Sequence, residues 1–356
     1  NKKNICKSKD FIELKKTWAP LLKLKPLVKN IGGNERFYIS LLQALIKKHE
    51  VLILDEPSAF LDLQEREKLY KNLRAEADKW GNLIVITHSK SEAANYCDDV
   101  TFLKKSDSPI SLQSDEDYPL TKKDSNFLGK NFLCVENLVC RSKTKPALLN
   151  LSFKADYGAI CAICGLNEPS MVTLEDIITG MDNFNARGKI TICAREKEEE
   201  FFLGTRKGNR WSASMLRKYG TALVPSDRVY RASNPNLTVE QMITALPVTE
   251  KPDTIIKKAG VNIRADEKCS SLSGGMLQRL ILERELSLNP SAIILCNPLQ
   301  ALDIDGQGRL CKRIKGLAEE GKAILIIGAA EFPLTLCSRV YNLEGGICSL
   351  SSEKKL

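Results

Sequence analysis

Three groups of residues in this sequence have types and spacings that could do chemistry. Asp55 and Glu56 stand side by side after the apolar run Val51-Leu52-Ile53-Leu54, and His88, one of two histidines, follows the apolar run 83–86. A buried strand that ends in two carboxylates delivers both to the crevice at the carboxyl end of a parallel sheet, where α/β proteins bind ligands. A bare Asp-Glu pair can also do no more than cap the helix that follows. Far downstream, Leu272-Ser273-Gly274-Gly275 leads through Gln278 and Arg279 into a predicted helix. Two glycines allow backbone N–H groups to approach an anion closely, a helix N-terminus favours negative charge, and Ser273 adds a hydroxyl. Ser-Gly-Gly alone is also common in ordinary turns. The third group, Gly165-Leu166-Asn167-Glu168-Pro169-Ser170-Met171-Val172-Thr173, follows an apolar run over 159–164. A phosphate loop there would read GxxxxGK[ST]. Ser170, Met171 and Val172 occupy the positions of its glycine, lysine and hydroxyl; neutral Met171 cannot balance phosphate charge, and Glu168 adds an unfavourable one.

The elements that must position these groups occur twice. Leu54, Pro57, Leu61 and Asp62 recur 241 residues later as Leu295, Pro298, Leu302 and Asp303. Each set follows a short, largely β-branched run, the pattern of a strand buried on both faces of a parallel sheet. Helices are predicted upstream over 35–48 and 276–288, and a second helix and a further strand downstream, at 83–86 and 323–327. Strand, helix and strand in alternation give an α/β class with a parallel sheet in both halves. A stretch rich in Ser, Asp and Lys with Pro109 and Pro119, 106–126, reads as a linker.

Composition sets the outer bounds. The length of 356 residues and 43% hydrophobic content suit two domains. No apolar run reaches the eighteen or so residues that a membrane-spanning helix needs. The net charge of +9 is spread along the chain, which favours a solvated surface over a nucleic-acid patch. Twelve cysteines without a framework read as reduced thiols, and Cys161 with Cys164 lacks the second pair or histidine that a metal site would require.

The run Val51-Leu52-Ile53-Leu54-Asp55-Glu56-Pro57-Ser58-Ala59-Phe60-Leu61-Asp62 resembles the Walker B strand and D-loop of ABC ATPases, and His88 falls on that family's switch position. The resemblance implies a P-loop NTPase-type fold with a helical subdomain, ATP and Mg2+ as cofactors, Asp55 holding the metal through water, Glu56 as general base, His88 on the γ-phosphate, and Asp62 in the ATP site. Leu272, Ser273, Gly274, Gly275 and Gln278 resemble the ABC signature. In the second half the acids are replaced by Cys296 and Asn297, and Ala329 stands where the repeat places His88.

ABC domains pair head to tail, so each ATP lies between the Walker motifs of one domain and the signature of the other. The first half keeps Asp55, Glu56 and His88, and their facing signature is intact. The second half has lost its Walker chemistry, and its facing signature, at Ile31-Gly32-Gly33-Asn34, is degraded. One competent and one degenerate composite site are therefore expected. By the repeat, the first domain's phosphate loop would lie upstream of Asn1, which suggests an N-terminally truncated chain or a first half supplied by another polypeptide.

Gly165-Leu166, Pro225-Ser226-Asp227-Arg228 and Asn297-Pro298-Leu299 resemble the unorthodox second domain of the tandem ATPases of simple-sugar and nucleoside importers. That resemblance implies the end of a first ABC domain over 1–105, a linker over 106–130 and a degenerate second domain over 131–356. It also implies integral-membrane permease subunits and a separate substrate-binding protein as partners, no nucleic acid, and residence at the cytoplasmic face of the membrane. A soluble tandem ABC protein acting on ribosomes or nucleic acid, and a non-hydrolysing permease scaffold, are the alternatives.

Overall fold

The computed structural model describes residues 9–18, 33–46, 50–55, 57–58, 63–80, 82–87, 90–101, 130–142, 145–165, 169–182, 185–194, 197–204, 211–300, 302, 304–329 and 332–354. The chain forms two compact units, 1–116 and 117–356. The expected linker lies outside the described residues for most of its length.

In the first unit, helices α1 (Lys9–Trp18) and α2 (Gly33–Ile46) precede strand β1 (Leu52–Asp55). Helix α3 (Leu63–Trp80), strand β2 (Leu83–Ile86) and helix α4 (Lys90–Tyr96) follow. The two strands pair in parallel, with Leu52 opposite Leu83 and Asp55 opposite Ile86. A strand shows alternate residues to opposite faces. Leu52 and Leu54 accordingly point into a core with Leu41, Leu42 and Leu45 of α2 and Leu69, Tyr70 and Leu73 of α3.

The second unit is a ten-stranded sheet among the described residues, in the order β7 (Lys197–Leu203), β6 (Ala186–Ala194), β3 (Asn131–Cys140), β4 (Leu148–Asp156), β12 (Ile347–Glu353), β11 (Arg339–Glu344), β5 (Ile160–Cys164), β10 (Ala323–Ile327), β9 (Ala292–Cys296) and β8 (Thr221–Val224). Its parallel half holds β5 (Ile160–Cys164), β10 (Ala323–Ile327), β9 (Ala292–Cys296) and β8 (Thr221–Val224). Every residue of β8, β9 and β10 is buried, as expected of strands covered on both faces. Helix α10 (Gly274–Leu286) shares one core with this sheet and with α8 (Val239–Thr244) and α9 (Pro252–Lys258) of the helical region, which opens at the short α7 (Arg228–Arg231). The first turn of α8 is fixed by a reciprocal capping box between Thr238 and Gln241. Helix α11 (Ile304–Glu319) turns Leu310, Ile314 and Leu317 toward that core.

Beyond the expected parallel strands, β3 (Asn131–Cys140), β4 (Leu148–Asp156), β6 (Ala186–Ala194) and β7 (Lys197–Leu203) form an antiparallel arm. A closing hairpin of β11 (Arg339–Glu344) and β12 (Ile347–Glu353) joins the arm to β5. Helix α5 (Ser170–Ile178) follows β5, and α6 (Ala213–Lys218) precedes β8. After α5 the chain turns at Gly180, whose φ is +68° and where an added Cβ would lie 2.4 Å from the Ser212 backbone. Only glycine meets both demands without strain.

The offset of 241 residues carries α2, β1, α3 and β2 onto α10, β9, α11 and β10. It also preserves strand register: Leu52 opposite Leu83 becomes Ile293 opposite Ile324.

Candidate functional site

Asp55 is the last residue of β1, and its side chain is exposed. Parallel pairing brings the carboxyl end of β2 level with it, so Asp55 and Thr87 emerge at one edge. Glu56, Asp62 and His88 lie outside the described residues. Pro57 and Ser58 form the turn after β1, and both are buried. The Ser58 hydroxyl donates to Glu92 Oε2 at 2.8 Å. Sequence reasoning missed Glu92. Its only signal was a carboxylate near the start of a short helix, four places beyond His88, facing a side that packing would cover.

In the second unit, Ser273 is the N-cap of α10 and accepts a hydrogen bond from the Met276 N–H at 3.3 Å. Ser273 and Gly274 are exposed, Gly275 and Leu272 half-buried, and the helix runs thirteen residues behind them. Backbone donors and the helix dipole thus face solvent together, an arrangement that suits an anionic group. Gln278 is instead turned inward. It is 2% exposed and donates to the Pro298 carbonyl, tying α10 to the turn after β9.

The described positions of the expected degenerate phosphate loop make contacts within the protein. Gly165 directly follows β5; residues 166–168 lie outside the described residues. Ser170, Met171 and Thr173 are buried at the start of α5, Val172 is exposed, and the Thr173 hydroxyl donates to the Pro146 carbonyl at 2.9 Å. The next turn carries two buried acids. Glu175 accepts from the Ser226 N–H at 3.0 Å and from its hydroxyl at 2.6 Å. Asp176 pairs with Lys145 and Arg231, and Lys145 also reaches Asp182 at 2.7 Å. Burial pushes the Glu175 carboxyl up, while Ser226 and Arg231 pull it down.

At the end of β9, where the first unit has acids, the Cys296 thiol is fully buried and pushed well up by that burial. Asn297 adopts φ +45°, and the buried Arg228 guanidinium donates to its carbonyl at 2.7 Å and to the Gln300 carbonyl at 3.5 Å. Burial pulls Arg228 down to about 10, which leaves it a cation at neutral pH. Among the described residues, no group of three or more His, Cys, Asp or Glu could hold a metal ion, and no helix is long and apolar enough to cross a membrane.

No family profile matches the chain. It is similar to the ribose import ATP-binding protein RbsA of Ruegeria, at 28% identity over 94% of the chain and 70% of that protein. It is likewise similar to the probable riboflavin import ATP-binding protein RfuB of Treponema pallidum, at 24% identity over 92% of the chain and 66% of that protein. The xylose import ATP-binding protein XylG of Burkholderia cenocepacia matches at 26% identity over 90% of the chain and 66% of that protein. The chain thus spans about two thirds of the length of these curated relatives. Among solved structures, a post-hydrolysis ATP-binding cassette dimer bound to ADP and Pi aligns at 21% identity and a TM-score of 0.49. It covers 63% of this chain and 98% of its own. An acid-ended parallel strand in one unit and a Ser-Gly-Gly helix start in an α/β sheet in the other accompany this similarity to import ATP-binding proteins.

Proposed function

We propose that this chain serves in the ATP-hydrolysing subunit of an ABC importer for simple sugars or nucleosides, with one competent composite site. The carrying observation is the contrast between two equivalent strand ends. β1 presents the Asp55 carboxylate to solvent, whereas β9 ends in a buried thiol and an asparagine whose carbonyl takes the Arg228 guanidinium. A free carboxylate at that position suits a hydrated Mg2+, and a buried guanidinium excludes one.

In this reading Asp55 holds Mg2+ through water, Glu56 takes the proton of the attacking water, and His88 contacts the γ-phosphate. Asp62 completes the loop, and Ser273, Gly274 and Gly275, flanked by Leu272, present backbone donors to the phosphates in head-to-tail pairing. Gln278 supports that segment from within. The second unit's own loop, from Gly165 through Ser170, Met171, Val172 and Thr173, does not hydrolyse ATP. Similarity to import proteins supports integral-membrane permease subunits and a substrate-binding protein as partners, at the cytoplasmic face of the membrane. The test is ATP turnover of the full-length protein assembled with its permease. Glu56→Gln is expected to cost on the order of a hundredfold, and unchanged turnover overturns the proposal.

A further inference from the structure

Around Glu92 the first unit contains a cluster to which the motifs assign no role. Glu92 is 8% exposed, on the face of α4 that packs against α3. Its Oε2 accepts from three hydroxyls: Ser58 at 2.8 Å, Tyr70 at 2.8 Å and Thr87 at 3.1 Å. Its Oε1 lies 3.8 Å from the Arg66 guanidinium. These donors come from four places: the turn after β1, two turns of α3, and the end of β2. One turn further along α4, Tyr96 stacks on Tyr70 with ring centroids 4.6 Å apart.

A carboxylate has no proton to give, so each hydroxyl must donate to it, and such charge-assisted bonds are the stronger kind. Burial raises the Tyr70 phenol far above its ordinary value, which keeps it a donor. Ser58 lies two residues after Glu56, and Thr87 immediately precedes His88. One oxygen atom therefore ties the backbone that carries one proposed reacting group to the backbone that carries the other.

The second unit supplies a natural comparison. At the same offset of 241 residues, Ser58, Tyr70, Thr87 and Glu92 become Leu299, Cys311, Gly328 and Pro333. Arg66 likewise becomes Gln307, so Glu92 and every side chain around it are missing from the half that also lacks the acids and the histidine.

We infer that Glu92 is a positioning residue for hydrolysis, fixing the turn that follows Asp55 and Glu56 against the strand end that precedes His88. This inference rests on the hydrolytic reading proposed above. It is tested with Glu92→Ala and Glu92→Gln in the full-length protein assembled with its permease, with Glu56→Gln as control. Glu92→Ala should lower kcat by roughly tenfold to a hundredfold, the range expected when a reacting group shifts by about an ångström, and change KM for ATP less than about threefold. Glu92→Gln should recover part of kcat, because its carbonyl oxygen can still accept from the hydroxyls. Hydrogen exchange at 55–58 and 86–88 should quicken in the alanine variant without loss of the folded fraction.

A kcat per folded molecule that stays at the wild-type value overturns the inference, as does a loss of activity that only tracks the loss of folded protein. If Glu56→Gln retains full turnover, the hydrolytic reading itself fails. If Glu56→Gln is inactive while Glu92→Ala turns over normally, only the positioning role fails.

Discussion

Glu285 offers the sharpest test of how the second unit holds the Ser273 segment in place. Its carboxylate is fully buried near the end of α10, the helix that opens at Ser273. Oε1 accepts from Arg217 at 2.9 Å and from Arg284 at 3.1 Å, and Oε2 accepts from the Leu223 N–H of β8 at 3.2 Å. Arg284 in turn donates to the Ala232 carbonyl at 2.9 Å and the Met242 carbonyl at 3.2 Å, in the helical region. Glu285→Ala would strand the Arg284 cation, only 4% exposed, and orphan a strand N–H. Breaking one side of a buried pair costs about 3–5 kcal/mol. The second unit runs from 117 to 356. For a domain of that size each kcal/mol lowers the melting temperature by about 2–4 °C, so a drop of roughly 6–20 °C is expected. Glu285→Gln keeps the shape and one acceptor, and should cost about 1–3 kcal/mol. Scanning calorimetry of wild type and both variants reads these differences directly. A drop smaller than about 3 °C for Glu285→Ala, or a glutamine variant as unstable as the alanine one, refutes the reasoning.

Two further variants address the second unit's loop. Met171→Lys with Val172→Thr restores the cation and hydroxyl of a phosphate loop, yet calorimetric titration should still find no micromolar binding of Mg-ATP to the second unit's own loop. The acids Glu175 and Asp176 lie just behind it, and position 296 offers no carboxylate; tight binding there would refute this. Glu175→Gln reports on pH. The folded-state pKa of Glu175 is raised, so the folded chain binds the proton more tightly than the unfolded one, and this group's contribution falls as pH rises through the raised value. The variant's melting temperature should therefore gain on wild type as pH rises from the ordinary carboxylate range, and a pH-independent difference would contradict that sign.

The elements that carry motifs were legible because each imposes its own period. β9 and β10 read as unbroken apolar runs and are buried throughout, and the helices at 35–48 and 276–288 shift by about two residues, to Gly33–Ile46 and Gly274–Leu286. The antiparallel arm was not legible. β3 mixes Asn131, Glu136 and Asn137 with its apolar residues and has register irregularities, so no clean alternation survives. At the site, Asp55 and Ser273 stood out because strand ends and helix starts have local signatures. Glu92 did not, and Arg228 stood out only as the last residue of the Pro225-Ser226-Asp227-Arg228 box without its structural role, since each depends on partners far away in sequence: Ser58 lies 34 residues from Glu92, and Asn297 lies 69 from Arg228. The inward turn of Gln278 toward Pro298 is of the same kind.

The Arg228 guanidinium at the end of β9 also bears on how a one-site protein stays that way. A carboxylate returned to position 296 or 297 by a single substitution would meet a fixed positive charge before it met a solvated metal, and the nearest stable outcome is an ion pair. Hydrolysis at that strand end would need the acid gained, the arginine removed and the loop's lysine restored together. Each single step yields no turnover for selection to favour. Under the one-site reading, Arg228 acts as a ratchet on sequence change as well as a support for the fold.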